Sequence, residues 1–343
     1  MSLLPRKNSK ASPRNTERRA AGGKRLKIAV LAGGPSNERE VSLKSAAQII
    51  KALSKGRHSA SLVEIPKKGE WPSWKTLKGF DVAFIAMHGK FGEDGRPQAF
   101  LELAGIPYTG SGVLASALGM DKVRTLEMAE RNGICVPKQL VLDRALRGAK
   151  AYGKYESMIV HGIGIPCVVK PSRSGSSIGV AIVRERKALK KAIEGAFHED
   201  DTVIVQQYIK GREITCGVMG NTGRTPVVPL PPVEIVAAGD FFDYRAKYIA
   251  AETREICPAP IGTKLTKEIQ RLAVQAHEML GCDGVTRSDF ILVPDGKMYF
   301  LEINTIPGLT EASLLPKEAA VYGMEFGDFL EFQISLALEK HKK

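Results

Sequence analysis

Residues 167–183 read Cys167-Val168-Val169-Lys170-Pro171-Ser172-Arg173-Ser174-Gly175-Ser176-Ser177-Ile178-Gly179-Val180-Ala181-Ile182-Val183, two short apolar runs around a glycine- and serine-rich segment. The apolar runs predict two strands, so the segment between them is a loop. Backbone N–H groups of such a loop can surround phosphate oxygens, and Lys170 adds a positive charge beside them. The stretch therefore predicts a small α+β unit with a phosphate-binding loop.

The same loop contains the pattern G-x-S-x-G, which in serine hydrolases carries the nucleophile, here Ser177. That nucleophile lies on a sharp turn from a strand into a helix. Here a second predicted strand follows the loop instead. A phosphate-binding loop is therefore favoured over a hydrolase site, and a purely structural hairpin is the remaining alternative.

A second group of chemically active residues lies near the C-terminus. Glu302 and Asn304 alternate along a predicted strand and so face the same side, while Asp289 ends an apolar-rich stretch two residues after Arg287. Two carboxylates and an amide oxygen suit Mg²⁺, with nucleotide phosphates completing its coordination. The alternative is a solvated edge strand with outward polar residues. Together with the loop, this group indicates an enzyme that uses ATP.

The remaining pattern predicts an α/β chain with several units. Strands at 27–31 and 81–87 enclose a helix from about 38 to 53, which predicts a parallel sheet with ligand groups at the carboxyl ends of its strands. We predict four segments: a disordered basic arm 1–25, an α/β unit 26–120, an α+β unit 121–212 and a C-terminal unit 213–343. Further predicted elements are helices at 114–132, 186–197, 265–280 and 325–339, and strands at 203–207, 214–218, 290–293 and 298–303.

The formal charge of +13 is concentrated at the N-terminus. Residues 1–25 hold eight Lys and Arg against one acid, Glu17, and thus +7 of the total. A segment so basic, without aromatic or β-branched apolar residues, is typical of a disordered arm. We favour a solvated extension over a transit peptide or a nucleic-acid-binding arm, and we expect no nucleic-acid partner for the folded part.

Composition also limits the compartment. No apolar run approaches the roughly 18 residues that span a bilayer, so we expect no membrane partner, and the start of the chain lacks the apolar core of a secretory signal. The five cysteines contain no CxxC pair, which argues against a zinc site or a disulfide framework. A cytoplasmic protein with reduced thiols is the expectation.

Taken in order along the chain, four segments resemble signatures of the D-alanine–D-alanine ligases of the ATP-grasp superfamily. These are residues 33–42 and 88–95, a loop at 242–248 that closes over the site in that family, and residues 302–308. The resemblance runs from about Leu26 to the C-terminal helix. It implies a three-domain ATP-grasp architecture with an N-terminal parallel α/β domain.

The resemblance also implies a reaction: ATP-dependent joining of two D-alanines through a D-alanyl phosphate, for peptidoglycan synthesis in the cytoplasm, by a homodimer. Two Mg²⁺ ions, with Mn²⁺ as an alternative, would be held by Asp289, Glu302 and Asn304. Groups that bind ATP would be Lys122, Lys170, Ser177, the adenine hinge of Gln206, Gln207, Tyr208 and Ile209, and Glu213 on the ribose.

The same resemblance assigns the residues around the amino acids. Glu38 would hold the first ammonium and connect through Ser176 to Tyr248, and Lys247 would neutralise the transferring phosphoryl group. Arg287 and the N–H of Gly308 would stabilise the tetrahedral oxyanion. His88, Ser313 and Leu314 would complete the substrate site, the last two at the second carboxylate. From its sequence context alone, His88 is more readily explained as a structural hydrogen-bonding residue than as a catalyst.

Three positions depart from the family pattern. Gln206 replaces a glutamate that faces the adenine amino group, Ser288 replaces a small apolar residue, and Pro97 replaces an aliphatic one. Tyr248 resembles the tyrosine of dipeptide-forming members, which favours D-alanine over D-lactate as second substrate. A nucleotide-binding protein without catalysis is the competing interpretation, and the retained catalytic set argues against it.

Overall fold

The structure, a computed structural model, describes residues 24–143, 149–236, 253–311 and 313–342. The predicted arm up to Gly23 and the predicted closing loop, with Lys247 and Tyr248, lie outside these ranges. The described chain forms three sheets with helices packed against them. Within these ranges, no helix is long and apolar enough to cross a membrane.

The N-terminal sheet is parallel, as predicted, with strand order β2-β1-β3. Its elements are β1 (Lys27–Gly33), α1 (Arg39–Lys55), β2 (Ser59–Ile65), α2 (Trp74–Leu77) and β3 (Val82–Ile85). Strands β1 and β3 are almost continuous apolar runs because both of their faces are covered, whereas the edge strand β2 is mostly exposed. Their carboxyl ends therefore lead directly into the loops that carry Glu38 and His88.

One predicted helix is two helices in the structure. After α3 (Arg96–Ala104), the expected helix 114–132 divides into α4 (Val113–Met120) and α5 (Lys122–Arg131). Asp121 between them is extended, with φ −87° and ψ 96°. Its carboxylate accepts hydrogen bonds from Arg124 N–H at 3.2 Å and from the Ser172 hydroxyl at 3.0 Å, so it caps α5. The break places Lys122 at the start of α5, beside the glycine-rich loop.

The central sheet has the order β4-β7-β5-β6, and all its strand pairs are antiparallel. Its elements are β4 (Gln139–Asp143), α6 (Ala149–Met158), β5 (Cys167–Pro171), β6 (Ala181–Val183), α7 (Leu189–Glu199) and β7 (Thr202–Gln207). Strand β6 directly follows the glycine-rich loop, which confirms the predicted strand–loop–strand arrangement. No helix begins at Ser177, so the hydrolase alternative does not fit.

The C-terminal sheet has the order β11-β10-β8-β12-β13, with β9 also paired to β8. Its strands are β8 (Arg212–Asn221), β9 (Val228–Pro229), β10 (Val233–Val236), β11 (Arg254–Ile256), β12 (Asp283–Leu292) and β13 (Met298–Asn304). One face packs on α8 (Gly262–Met279) through a core that includes Cys216, Phe290 and Phe300. Helices α9 (Leu314–Tyr322) and α10 (Phe326–Lys340) complete the chain.

Strand β12 begins earlier than predicted. Asp289 was expected at the end of an apolar stretch, but it lies inside β12, as does Arg287. The expectation was wrong because β12 is paired along both edges and can carry polar residues on the face opposite α8. Alternation along β12 points Phe290 into the core, and an extra residue on β13, Leu301, lets both Ile303 and Phe300 face the same core.

The N-terminal and C-terminal sheets share a hydrophobic core. Side chains of β1 and β3 pack with Met219 of β8, Val285 of β12 and residues of α9 and α10. Each sheet lies within one predicted segment, apart from Arg212 at the start of β8, and the domain division itself stays a prediction. The shared core matters for the site because it fixes the loops after β1 and β3 over the polar face of β12.

Candidate functional site

A cavity of about 350 Å³ lies where the three sheets meet. Among its lining are many of the predicted site residues: Glu38, His88, Lys122, Ser176, Glu213, Arg287, Asp289, Glu302, Asn304, Gly308, Ser313 and Leu314. Two larger surface cavities, of about 680 and 610 Å³, contain none of the predicted residues. Chemistry rather than size therefore identifies the smaller cavity as the candidate active site.

Glu38 connects the N-terminal sheet to the glycine-rich loop. It is buried just before α1, and the Ser176 hydroxyl donates a hydrogen bond to its Oε1. A Cβ on Gly89 would lie 2.2 Å from Glu38 Oε2, and one on Gly175 would lie 2.6 Å from the same atom. Glycine at both positions therefore lets the two loops close on this carboxylate without displacing it. The predicted continuation to Tyr248 lies outside the described residues.

His88 is held by two protein groups. Its Nδ1 lies 3.0 Å from the Ile306 carbonyl, which can only accept, so Nδ1 donates. Its Nε2, 3.1 Å from the Ser45 hydroxyl, is then the acceptor. Burial lowers the pKa of His88, which favours this neutral ring. These contacts are those of a residue that positions the 302–308 segment; direct substrate binding by His88 stays a prediction.

Glu93 was not assigned from the sequence, although it lies in the second signature. It is buried, and its Oε1 accepts a hydrogen bond from Gly89 N–H at 2.8 Å. Burial and the neighbouring charge of Glu38 raise the pKa of Glu93 from 4.5 to about 8. The sequence context of an HGxxGEDG loop could have suggested a functional acid, but not its proximity to Glu38.

This pKa predicts a pH dependence of stability. The folded protein binds the Glu93 proton more tightly than the unfolded chain, so Glu93 contributes a loss of stability as the pH rises from 4.5 toward 8. Glu93→Gln is expected to reduce this loss, and urea unfolding at about pH 6 and about pH 9 measures it. The exposed Glu70→Gln is the matched control. Equal pH dependence in wild type and Glu93→Gln would contradict the expectation.

Two buried lysines supply positive charge, one in the wall of the cavity and one beside it. Lys122 Nζ donates to the Ser174 carbonyl at 2.7 Å and pairs with Glu302 Oε2 at 3.2 Å. Lys170 on β5 is also buried, although it does not line the cavity itself. Burial, with a contribution from the charge of Lys122, lowers the pKa of Lys170 to about 8 while Glu302 opposes the shift. A bound phosphate would stabilise both ammonium groups, so this side suits an anion.

The polar face of the C-terminal sheet presents two rows of side chains. Thr215, Asp289 and Glu302 are paired across β8, β12 and β13. Gly217, Arg287 and Asn304 form the next row. Paired residues of adjacent strands have Cβ atoms about 5 Å apart and face the same side, so each row brings its functional groups together. Sequence reasoning predicted the members on β12 and β13 but missed Thr215 and Gly217 on β8.

Arg287 and Asp289 form a two-point ion pair within the sheet. Arg287 donates from Nε and Nη2 to the two Asp289 oxygens, each at 2.9 Å. Thr215 Oγ1 donates to Asp289 Oδ1 at 2.6 Å. Burial opposes the charged form of Arg287, but the charge and hydrogen bonds of Asp289 together with the charges of Glu302 and Glu318 outweigh it and raise the pKa of Arg287 above its usual range. Arg287 is therefore a permanent, oriented cation.

The donor set fits a metal ion shared with phosphate. Among the described residues, no three His, Cys, Asp or Glu side chains form a ready metal site. Mg²⁺ in nucleotide enzymes commonly takes only one or two carboxylates, the rest of its ligands being phosphate oxygens and water. Asp289 and Glu302 are direct cross-strand neighbours, and the Asn304 Oδ1 accepts from Ile306 N–H at 3.0 Å with a second lone pair remaining. These oxygens would suffice with ATP.

The loop from Gly308 into α9 forms the opposite wall. Ser313 stands at the N-cap of α9, and its Oγ accepts from Thr310 N–H at 3.1 Å. A Cβ on Gly308 would lie 2.9 Å from Ser313 Oγ. Glycine therefore allows the backbone at 308 to lie against Ser313. The first turn of α9 offers a polar hydroxyl, a helix N-terminus and the side chain of Leu314 to the cavity.

Several predicted ATP-binding residues lie outside this cavity. The adenine-hinge residues Gln206 to Ile209, at the end of β7, do not line it, nor does Ser177. Gln206 is almost fully buried, yet within the described chain its Nε2 has no hydrogen-bond partner. A buried amide with an unused donor is consistent with a ligand there, so the hinge stays a prediction.

Comparison with known proteins agrees with this architecture. The sequence matches the family description "D-ala D-ala ligase C-terminus" over residues 128–335 and "D-ala D-ala ligase N-terminus" over 27–78 and 72–111. It is 45% identical over 305 residues to the D-alanine–D-alanine ligase of Syntrophotalea carbinolica, covering 89% of this chain and 94% of that protein.

Solved structures are similar over nearly the whole chain. The VanG D-Ala:D-Ser ligase of Enterococcus faecalis superposes with a TM-score of 0.79 at 34% identity, covering 92% of this chain and all of that one. The D-alanine–D-alanine ligase of Bacillus anthracis, complexed with ATP, gives 0.77 at 32% identity, covering 92% and 98%. The fold is that of the ATP-grasp ligases, as predicted. The chain belongs to the D-alanine–D-alanine ligase family.

Proposed function

We propose that this ligase joins two D-alanines with ATP, forming D-alanyl-D-alanine, ADP and phosphate for peptidoglycan precursor synthesis. The observation that carries the proposal is the cavity, which is lined by a buried acid, Lys122, a set of carboxylate and amide oxygens and a fixed arginine, with Lys170 buried nearby on β5. The γ-phosphoryl group of ATP passes to the carboxylate of the first D-alanine. The amine of the second then attacks this D-alanyl phosphate, phosphate leaves with the bonding electrons, and the amine loses its proton.

Glu38 is placed to bind the first ammonium group. Its carboxylate is buried, oriented by Ser176 and approached closely by Gly89 and Gly175, and it lines the cavity. A buried carboxylate that already accepts a hydrogen bond at one oxygen is stabilised most by a partner that carries a full positive charge. This geometry would fix the first amino acid with its carboxylate toward the lysines, and orientation of this kind lowers reaction barriers substantially.

The phosphates would lie between the glycine-rich loop and the polar sheet face. Lys122 and Lys170 would bind their oxygens, with Lys247 of the closing loop as a further cation on the transferring group. Mg²⁺ or Mn²⁺ at Asp289, Glu302 and Asn304 would neutralise phosphate charge. The nucleoside would be bound by Glu213 and by the hinge Gln206 to Ile209. Ser177 would bind ATP from the glycine-rich loop.

Arg287 supports the second half of the reaction. Its guanidinium is charged at any working pH and fixed by Asp289, so it can stabilise an oxyanion without reorganising. The N–H of Gly308 would be the second donor. Ser313 and the N-terminus of α9, with Leu314 at its side, would receive the carboxylate of the second D-alanine.

Choice of the second substrate would depend on Tyr248, in the closing loop. We expect Tyr248→Phe to raise the use of D-lactate, because the phenol would no longer contribute to the hydrogen-bonded set with Glu38 and Ser176. The ratio of depsipeptide to dipeptide, measured by mass spectrometry with both acceptors present, checks this. Glu38→Asp, which keeps the acid, is a useful comparison. An unchanged ratio would contradict the role given to Tyr248.

We also propose a cytoplasmic homodimer, supported by the family membership and by the enzyme's use of ATP. Light scattering on the purified full-length protein measures the oligomeric state. A monomer at micromolar concentration would refute the dimer without bearing on the reaction.

The reaction is tested by phosphate release from Mg·ATP across a panel of D- and L-amino acids and D-lactate. We expect release with D-alanine and none with L-alanine. If phosphate were released only when D-serine or D-lactate was present, that compound would replace D-alanine as the proposed second substrate. A protein that binds ATP but releases no phosphate with any substrate would instead fit the competing interpretation, a nucleotide-binding protein without catalysis.

A further inference from the structure

One buried acid has no part in the reaction as proposed. Glu318 lies on α9, one turn after Leu314, and is fully buried. It does not line the active-site cavity. Its Oε2 accepts a hydrogen bond from Gly217 N–H at 2.6 Å, whereas its Oε1 has no hydrogen-bond partner in the part of the chain that the structure describes. Fully buried glutamates are uncommon, so a specific purpose is expected.

The Gly217 N–H is available because the edge of β8 is interrupted. Strand β10 pairs with β8 up to Thr215, and β9 pairs with it from Val218 onward. The segment between β9 and β10 makes one backbone hydrogen bond with Gly217, in which Leu230 N–H donates to the Gly217 carbonyl at 2.8 Å. A buried N–H left without a partner destabilises the folded state. The carboxyl of Glu318 accepts the hydrogen bond from Gly217 N–H that a neighbouring strand would otherwise accept.

Gly217 and Glu318 also fit each other sterically. A Cβ at position 217 would lie 2.2 Å from Glu318 Oε2 and 2.4 Å from Leu315 Cδ1. Only glycine therefore lets α9 lie so close to β8. Gly217 is also the direct cross-strand partner of Arg287. The helix that begins at Ser313 is thus attached to the sheet at the residue beside Arg287.

We propose that Glu318 is a positioning residue for the second substrate: by fixing α9 at Gly217, it sets the position of Ser313 relative to Arg287. The inference rests on the proposed function, in which Ser313 receives the carboxylate of the second D-alanine and Arg287 its developing oxyanion. Five residues of helix, about 7.5 Å, separate Ser313 from Glu318, so a loosened contact at 318 moves the N-terminus of α9 directly.

The hydrogen bond to Gly217 requires only an acceptor. Burial raises the pKa of Glu318 well above its usual range, although the Gly217 N–H and the charge of Arg287 oppose this. A neutral carboxyl accepts the bond as an amide oxygen would. Glu318→Gln should therefore substitute for the native residue, whereas Glu318→Met keeps the volume and loses the acceptor.

The test is steady-state kinetics of the full-length enzyme, which separate the KM values of ATP and of the second D-alanine. We expect Glu318→Met to raise the KM of the second D-alanine at least about tenfold, with the KM of ATP within about twofold of wild type. Glu318→Gln should remain close to wild type in both. The control is Gln333→Met, which removes another buried polar group on α10 and should leave both values unchanged.

Gly217→Ala disturbs the same contact from the side of the sheet. It is the variant to measure if Glu318→Met does not fold. It should also raise the KM of the second D-alanine selectively. Three outcomes would each overturn the inference. The first is unchanged KM values in folded Glu318→Met or Gly217→Ala, and the second is an equal rise in the KM of ATP. The third is a Glu318→Gln enzyme as impaired as Glu318→Met. A wild-type protein that makes no dipeptide would refute the proposed function instead.

Discussion

Arg287→Lys is expected to lower kcat by about 10²–10³-fold, the loss typical of removing one oxyanion-stabilising donor. Lysine keeps the positive charge but not the planar two-point contact with Asp289, whose oxygens now each accept a bond at 2.9 Å. The new ammonium group would be a mobile point charge, whereas the guanidinium group is held in one orientation. Dipeptide formation under saturating ATP and D-alanine measures the change.

The matched control for this variant is Arg271→Lys. Arg271 lies on the exposed side of α8 and pairs with Glu268, three residues earlier on the same helix. Its replacement should leave kcat within about twofold of wild type, because exposed pairs of this kind contribute little. A loss of less than tenfold in folded Arg287→Lys would mean that the oxyanion lies elsewhere.

Glu38→Gln is expected to lower kcat/KM for the first D-alanine by about 10²-fold or more. The variant keeps the shape and the hydrogen bond from Ser176 but removes the charge that would bind the ammonium group, and charge-assisted bonds in buried sites are worth about 1.5–3 kcal/mol or more. Affinity for ATP should change little, because the phosphates are assigned to the lysines and the metal ligands and not to Glu38. Initial rates at varied D-alanine measure the effect.

Glu40→Gln is the natural control for this second variant. Glu40 lies two residues further along, in the first turn of α1, and is exposed to solvent. We expect wild-type kinetics from it. If Glu38→Gln bound D-alanine normally while ATP binding fell, the ammonium site would have to be assigned to another acid, and the nearby Glu93 would be the first to test.

The sequence predicted those parts of the site that depend on local pattern. The alternation of Glu302 and Asn304 and the two runs around the glycine-rich loop depend on residues a few positions apart, and the structure confirms these elements. Asp289 was misplaced at a strand end because its strand is supported by neighbours on both edges, which local polarity does not reveal.

Other features depend on contacts between distant residues. The break at Asp121 arises because its carboxylate is recruited by Ser172, 51 residues away, and no periodicity within 114–132 signals it. Thr215 and Gly217 were missed because only strand register places them beside Asp289 and Arg287. Glu318 was missed for a related reason: an acid on a helix looks solvent-exposed until the helix is packed against an interrupted strand edge.

The central claim is that one cavity forms a D-alanyl phosphate and then a dipeptide. Its most direct test uses D-alanine labelled with ¹⁸O in both carboxylate oxygens, with mass spectrometry of the released phosphate and dipeptide. Formation of an acyl phosphate predicts that each dipeptide is accompanied by one phosphate carrying a single ¹⁸O from the substrate. Dipeptide formed with unlabelled phosphate, or labelled substrate left unreacted with Mg·ATP, would contradict the account.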